Sequence, residues 1–241
     1  MSAHWGAYPD ADEAAAACSK HILALLETAL SGEGEATLAV SGGNTPKLLF
    51  AHLVKAKFNW SHVHLFLVDE RAVPPTDSQS NYKLAEENLI RPAHIPQRNV
   101  HRIATEVGPD KAGIRYSQEI VDYFELPDGE LPHFDVVHLG AGPDAHTASL
   151  FPGEPLIGNR DRIAAAVYVE KIPQWRITLL PGVLLAARHT VFLTAGDDKA
   201  EAVRNIFQEA YDPKRFPAQV VTHHGRKVKW FLDQAAARFL E

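Results

Sequence analysis

Apolar positions along the chain alternate between helical spacing and short continuous runs. Ile22, Leu25, Leu26, Ala29 and Leu30 recur at helical spacing within residues 11–30, with Cys18 one turn earlier. A glycine-containing break, Ser31 to Glu35, precedes the run ATLAV (36–40), which ends at Ser41-Gly42-Gly43. A helix is predicted from about Asn44, with Pro46 in its first turn, where a missing N–H costs little. VHLFLV (63–68) reads as a buried strand that stops at Asp69-Glu70-Arg71. Pro74 and Pro75 make the next stretch a loop, and residues 78–90 read as helix.

The alternation continues to the C-terminus. VHRI (100–103) reads as a short strand, and 109–125 as a helix with Ile114, Ile120, Val121 and Phe124 inside. FDVVHLG (134–140) is a strand emptying into Ala141-Gly142-Pro143-Asp144-Ala145-His146. AAAVYVE (164–170), RITLL (176–180) and TVFLTAG (190–196) are further strands. After the last come Asp197-Asp198-Lys199 and a helix to about Ala210, whose Asp198 and Glu201 resemble a capping box. QVVTHH (219–224) reads as a final strand. A closing helix then puts Phe231, Leu232, Ala235, Ala236, Phe239 and Leu240 on one face. Strands alternating with helices predict an α/β fold, with a mainly parallel sheet covered on both faces. No fixed-period repeat or linker divides residues 1–241, which read as one domain with a small excursion; the weakest join is the Pro-rich 152–162.

Composition narrows the function. Hydrophobic residues make up 46% and charged residues 22%, which excludes disorder as the main state. With 24 basic and 30 acidic side chains, the net charge of −6 gives no global attraction for nucleic acid or a membrane surface. It leaves room for a small anion held by a few local cations. No apolar run is long enough to span a bilayer, and the N-terminus lacks a signal-peptide pattern. The single cysteine, Cys18, permits neither an intrachain disulfide nor a cysteine metal cluster. A reducing, cytoplasmic location is expected.

In a parallel sheet every strand delivers its following loop to one rim, where ligands bind. Four segments should therefore meet: Ser41-Gly42-Gly43, Asp69-Glu70-Arg71, the Asp144/His146 loop, and Asp197-Asp198-Lys199. Glycines between a strand and a helix let backbone N–H groups approach a phosphate; the bland alternative is a plain turn capped by Asn44 or Thr45. The loop is neither a Walker A motif nor a dinucleotide fingerprint. Lys199 at a helix start opposes the helix dipole unless an anion offsets it, or it is a solvated lysine paired with Asp198 or Glu201. Arg71 and Arg176 carry the same two readings, rim charge or anion ligand. His146 can act as a base oriented by Asp144, or can cap a following helix with Asp144 as a turn residue. Ser149 reads as a helix-interior or cap serine. His62 and His64 share a strand face without a third metal ligand, and His223-His224 would point to opposite faces if extended. No G-x-S-x-G is present.

Six blocks, LAVSGGNTPKLL, FLVDERAVPPTDSQSNYKLAEENL, HLGAGPDAHTASLFPG, RITLLPGVLLAA, FLTAGDDKAEAV and WFLDQAAA, follow in order over a stretch from about residue 36 to the C-terminus. Together they resemble the 6-phosphogluconolactonase family. The resemblance implies a doubly wound Rossmann-like sheet, shared with glucosamine-6-phosphate deaminase and ribose-5-phosphate isomerase. It implies hydrolysis of 6-phosphoglucono-δ-lactone, with no metal or organic cofactor, by a monomer or small homo-oligomer. Carried over by position, His146 would activate water, Asp144 would support it, and Asp69 would sit near the ring hydroxyls or leaving oxygen. Ser41, Gly42, Gly43, Asn44, Arg71, Arg176 and Lys199 would hold the substrate.

The family usually has glycine between the Asp and His of this loop; here it is Ala145. Alanine strains the loop by about 1–2 kcal/mol if the position needs a positive φ. It tightens the substrate space if glycine only allows close approach. Two rivals remain. The deaminase branch carries an acid five residues past the histidine, where this chain has Phe151. A non-catalytic sugar-phosphate sensor would keep the phosphate grip without needing His146.

Overall fold

The computed structural model describes residues 3–240. Seven strands form a fully parallel sheet: β1 (His4–Tyr8), β2 (Ala36–Val40), β3 (Val63–Leu67), β5 (Val100–His101), β6 (Val136–Leu139), β9 (His189–Thr194) and β10 (Val228–Asp233). Their spatial order is β1-β10-β9-β6-β2-β3-β5, every neighbouring pair parallel. A second, antiparallel sheet has the order β4-β8-β7, from β4 (Asp69–Arg71), β7 (Ala164–Val169) and β8 (Gln174–Leu179). The helices are α1 (Ala11–Glu33), α2 (Asn44–Lys55), α3 (Asn81–Ala85), α4 (Pro109–Phe124), α5 (Pro181–Ala186), α6 (Ala200–Gln208), α7 (Gln219–His224) and α8 (Gln234–Ala237). A π-helical turn, Glu86–Ile90, extends α3.

From β2 the chain winds outward through β3 and β5, while β6, β9 and β10 build the other half, so strand order reverses between β2 and β6. In such sheets the crevice beyond the reversal point is where ligands bind. Two side chains pin this pair. Asp135 accepts from the N–H and hydroxyl of Thr37 (2.8 and 2.9 Å), and Ser41 Oγ donates to the His138 carbonyl (3.1 Å).

The second sheet grows out of the first at Val68. Its N–H still donates to Val40 of the large sheet (2.9 Å), while its carbonyl accepts from Leu179 of the small one (2.8 Å). At Leu67 β5 has already ended, and the buried Tyr116 hydroxyl of α4 substitutes for the missing strand. It accepts from Leu67 N–H (3.0 Å) and donates to Leu67 C=O (2.7 Å). Tyr116→Phe should therefore orphan two buried backbone groups and cost about 1–3 kcal/mol, read as a lower urea midpoint at unchanged m-value.

Several sequence readings are corrected. Residues 69–71 continue as a strand in the second sheet. Ile114 is 69% exposed, because α4 packs through Ala112, Gly113, Tyr116 and Ile120. A Cβ at Gly113 would lie 3.2 Å from the β7 backbone, so this contact rests on a small residue that an apolar pattern does not register. Residues 219–224 are helix α7, whose residues 219–222 are buried. The closing helix is instead a central strand followed by a short helix: Trp230, Phe231 and Leu232 are consecutive and buried, as a strand covered on both faces requires. Trp230 stacks on its cross-strand neighbour Phe192 at 3.9 Å. Asp198 and Glu201 form no capping box; a 3-10 turn, Asp197–Lys199, leads into α6 with Lys199 at the N-cap.

Candidate active site

A cleft of about 360 Å³ opens at the reversal point. All four segments reach it: Ser41 to Asn44 after β2, Asp69 and Arg71 of β4, the loop after β6 with His146, and Asp198-Lys199 after β9; Arg176 enters from β8. Asp144 does not line it but stands behind the histidine.

After β2 the backbone turns at Gly43 with φ +123°, a conformation disfavoured for other residues. Asn81 packs directly over Gly42, leaving no room for a Cβ. No side chain caps α2, so its first-turn N–H groups remain available at the cleft. Ser41 lines the cleft, but its hydroxyl proton is committed to β6.

The histidine loop closes on itself: Ala145 N–H donates to Gly142 C=O (2.9 Å), and Gly142 N–H donates to His146 C=O (2.9 Å). No helix follows it to be capped. The imidazole lies against Gly142, where a Cβ would collide with the ring, and stacks on Phe151 at 4.1 Å. Nδ1 lies 2.5 Å from Asp144 Oδ1. Lys171 Nζ donates to the other carboxylate oxygen at 2.9 Å. Burial works to raise the Asp144 pKa. The hydrogen bonds from His146 and Lys171 outweigh it and hold the carboxyl well below the ordinary carboxylate range. An ionised carboxylate only accepts, so Nδ1 carries a proton, and in the neutral ring Nε2 is left with the lone pair.

Ala145 has φ +62°. This position does need a positive φ, so the strain alternative applies. Relief of about 1–2 kcal/mol by glycine would be offset by the loss of one buried methyl, about 0.8 kcal/mol, and by a freer unfolded chain. Those terms nearly cancel, so an alanine is tolerable here.

The opposite wall is cationic. Arg71 and Arg176 are direct cross-strand partners in the β4–β8 pair. Like charges placed opposite each other are destabilising unless an anion lies between or beside them. Arg176 is buried at 8% exposure, its Nε has no hydrogen-bond partner, and burial and the facing Arg71 both lower its pKa against the pull of Asp69. Its guanidinium sits 5.5 Å from the Phe151 ring centroid. Asp69 is held by Ser149 Oγ (2.6 Å), Asn81 Nδ2 (3.3 Å) and the Arg176 guanidinium (4.0 Å). Arg71 donates to the Gln79 carbonyl (2.8 Å) and to Asn81 Oδ1. Lys199 Nζ pairs with Asp198 at 2.8 Å on a turn fastened by Asp233, whose carboxylate accepts from Gly196 N–H (3.1 and 3.0 Å).

Sequence reasoning missed Asn81, Ser149, Phe151 and Lys171 as site residues. Ser149 is no helix serine; it holds Asp69 from 80 positions away. Buried Glu70 was missed too. It accepts from the N–H groups of Arg71, Asn81 and Tyr82 and from the Ser80 hydroxyl, tying the 71–82 loop to β4. Burial nevertheless leaves its pKa raised. Of the other histidines, His64 pairs with His101 (3.0 Å) rather than with His62, and His223-His224 lie in α7. Among the described residues, no three His, Cys, Asp or Glu side chains form a metal-binding group, and no helix is long and apolar enough to cross a membrane.

A family model described as glucosamine-6-phosphate isomerases/6-phosphogluconolactonase matches residues 9–230. A 6-phosphogluconolactonase of Synechocystis sp. is 36% identical over 213 residues, covering 88% of each chain. The structure of 6-phosphogluconolactonase from Trypanosoma cruzi superposes with a TM-score of 0.89 at 25% identity, over 100% of this chain and 98% of that one. A monomeric glucosamine-6-phosphate deaminase shares the fold, with a TM-score of 0.83 at 18% identity over 98% and 99% of the two chains.

Proposed function

Because the chain belongs to the family of glucosamine-6-phosphate isomerases and 6-phosphogluconolactonases, we infer that its cleft hydrolyses 6-phosphoglucono-δ-lactone to 6-phosphogluconate, the second step of the oxidative pentose phosphate pathway. One observation carries this reading. An imidazole whose Nδ1 is engaged and whose Nε2 is unshared faces the same cleft as two opposed arginines and Lys199.

Lactone opening then follows from the side chains present. Arg71, Arg176, Lys199 and the N–H groups of the Gly42-Gly43 turn bind the phosphate and ring, and this remote binding orients the carbonyl. His146 Nε2 takes a proton from water as the water oxygen bonds to C1. The carbonyl electrons move to its oxygen, where backbone N–H groups of the glycine-rich turns are the candidate donors. The intermediate collapses with cleavage of the bond from C1 to the ring oxygen, and His146 returns its proton to that oxygen. The products are a hydroxyl and a carboxylic acid, which ionises. Both oxygens of Asp69 have protein partners, so we assign it to holding Arg176 and Asn81 at the substrate ring.

The deaminase reading needs an acid where this chain has Phe151, which instead packs on His146 and beneath Arg176. The test is acid release from freshly made 6-phosphogluconolactone in a pH-stat, corrected for spontaneous opening. Saturable acceleration is expected, with a much higher KM for gluconolactone lacking the phosphate. Ammonia release from glucosamine 6-phosphate without lactone turnover would favour the rival.

The pH dependence has a defined sign. Asp144 has a folded-state pKa below its unfolded value. Its pairing therefore contributes fully above about pH 5 and is lost only as the pH falls toward the folded value. Asp144 therefore stays ionised from about pH 5 upward and adds no ionisation of its own to the profile there. The acid limb of kcat/KM should accordingly have a slope of one on a logarithmic plot; a slope of two would contradict it.

A further inference from the structure

We propose that Lys171, at the tip of the β7–β8 hairpin, is a positioning residue for His146: it occupies one oxygen of Asp144 and commits the other to the imidazole Nδ1. This rests on the reading of His146 as the base. Lys171 lies 27 residues from Asp144 in sequence and does not line the cleft. Its side chain is 65% exposed, so as a surface pair it adds little to stability. Its placement gives it another use. The hairpin whose returning strand carries Arg176 into the cleft also presents Lys171 behind the histidine, so one element sets both the substrate grip and the base.

The chemistry follows from charge. Asp144 alone would stabilise the imidazolium strongly, making His146 a better base but a poorer donor to the ring oxygen. The ammonium ion neutralises part of that pull and keeps the two half-reactions balanced. It also stops the carboxylate from turning, because Oδ2 is bonded at 2.9 Å while Oδ1 serves both Nδ1 and the His146 N–H. The other charged groups facing this imidazole belong to the far wall: Asp69 and Arg71 on β4, Arg176 on β8, and Asp198 and Lys199 after β9. Among the described residues, no other cationic side chain bonds to Asp144.

The experiment compares kcat and KM against pH for wild type, Lys171→Met, Lys171→Arg and His146→Ala. For Lys171→Met the acid limb should move to higher pH by about half a unit, as loss of one screened charge a few ångströms away implies. Its kcat near neutrality should fall several-fold, with KM within about twofold. Lys171→Arg should restore both. A merely structural lysine would lower the melting temperature without moving the limb. If His146→Ala is inactive while Lys171→Met keeps the wild-type kcat and limb, the proposal is overturned and the base assignment stands. If His146→Ala keeps turnover, both fall.

Discussion

His146→Ala is expected to lower kcat about 10²- to 10⁴-fold, the range attributable to a positioned acid–base group, with affinity for 6-phosphogluconate changed no more than a few-fold. The division follows from the site. The imidazole is fixed by Asp144 on one edge and by Phe151 on one face, so its accepting nitrogen is prepositioned, and no cation of the opposite wall depends on it. Alanine removes the proton acceptor for water and the donor for the ring oxygen together, while Arg71, Arg176 and Lys199 keep their places. Rates must be corrected for spontaneous opening of the lactone. A kcat within tenfold of wild type would remove His146 from the chemistry.

Lys199→Ala should do the converse, raising KM by roughly 10- to 100-fold with kcat nearly unchanged. A charge-assisted hydrogen bond to phosphate contributes about 1.5–3 kcal/mol, and 1.4 kcal/mol is a factor of ten. The Asp198 carboxylate, now bonded to Lys199, would be left facing the phosphate and should push the loss toward the upper end. Lys199→Ala with Asp198→Ala should therefore recover part of the affinity. Steady-state kinetics at several lactone concentrations checks this; equal losses in kcat and kcat/KM would place Lys199 in the transition state instead.

The rim of the fold was legible because its signals are local. ATLAV followed by Ser-Gly-Gly marks a buried strand and a close-approach turn within eight residues, and β2 has the bounds the pattern predicts. The loop from Gly140 to His146 carries its acid and its imidazole two residues apart. Short apolar segments were less legible. Residues 219–224 and 228–233 are both short segments of strand length with a few apolar residues, one a buried helix and the other a central strand, and periodicity over six residues does not separate them. HWGAY is a short edge strand with a central glycine and carries no pattern that marks β1 in the sequence. The supporting residues were hidden for a different reason. Ser149 meets Asp69 across 80 positions and Lys171 meets Asp144 across 27, and neither pairing leaves a spacing signature. Asn81 is legible only once Gly42 is known to pack beneath it.

A crystal structure with 6-phosphogluconate bound tests the central geometry most directly. The phosphate should lie among Arg71, Arg176 and Lys199, with a C1 carboxylate oxygen hydrogen-bonded to His146 Nε2 directly or through one water. A ligand seated the other way round, with its carboxylate among the arginines and its phosphate beside the imidazole, would contradict the account.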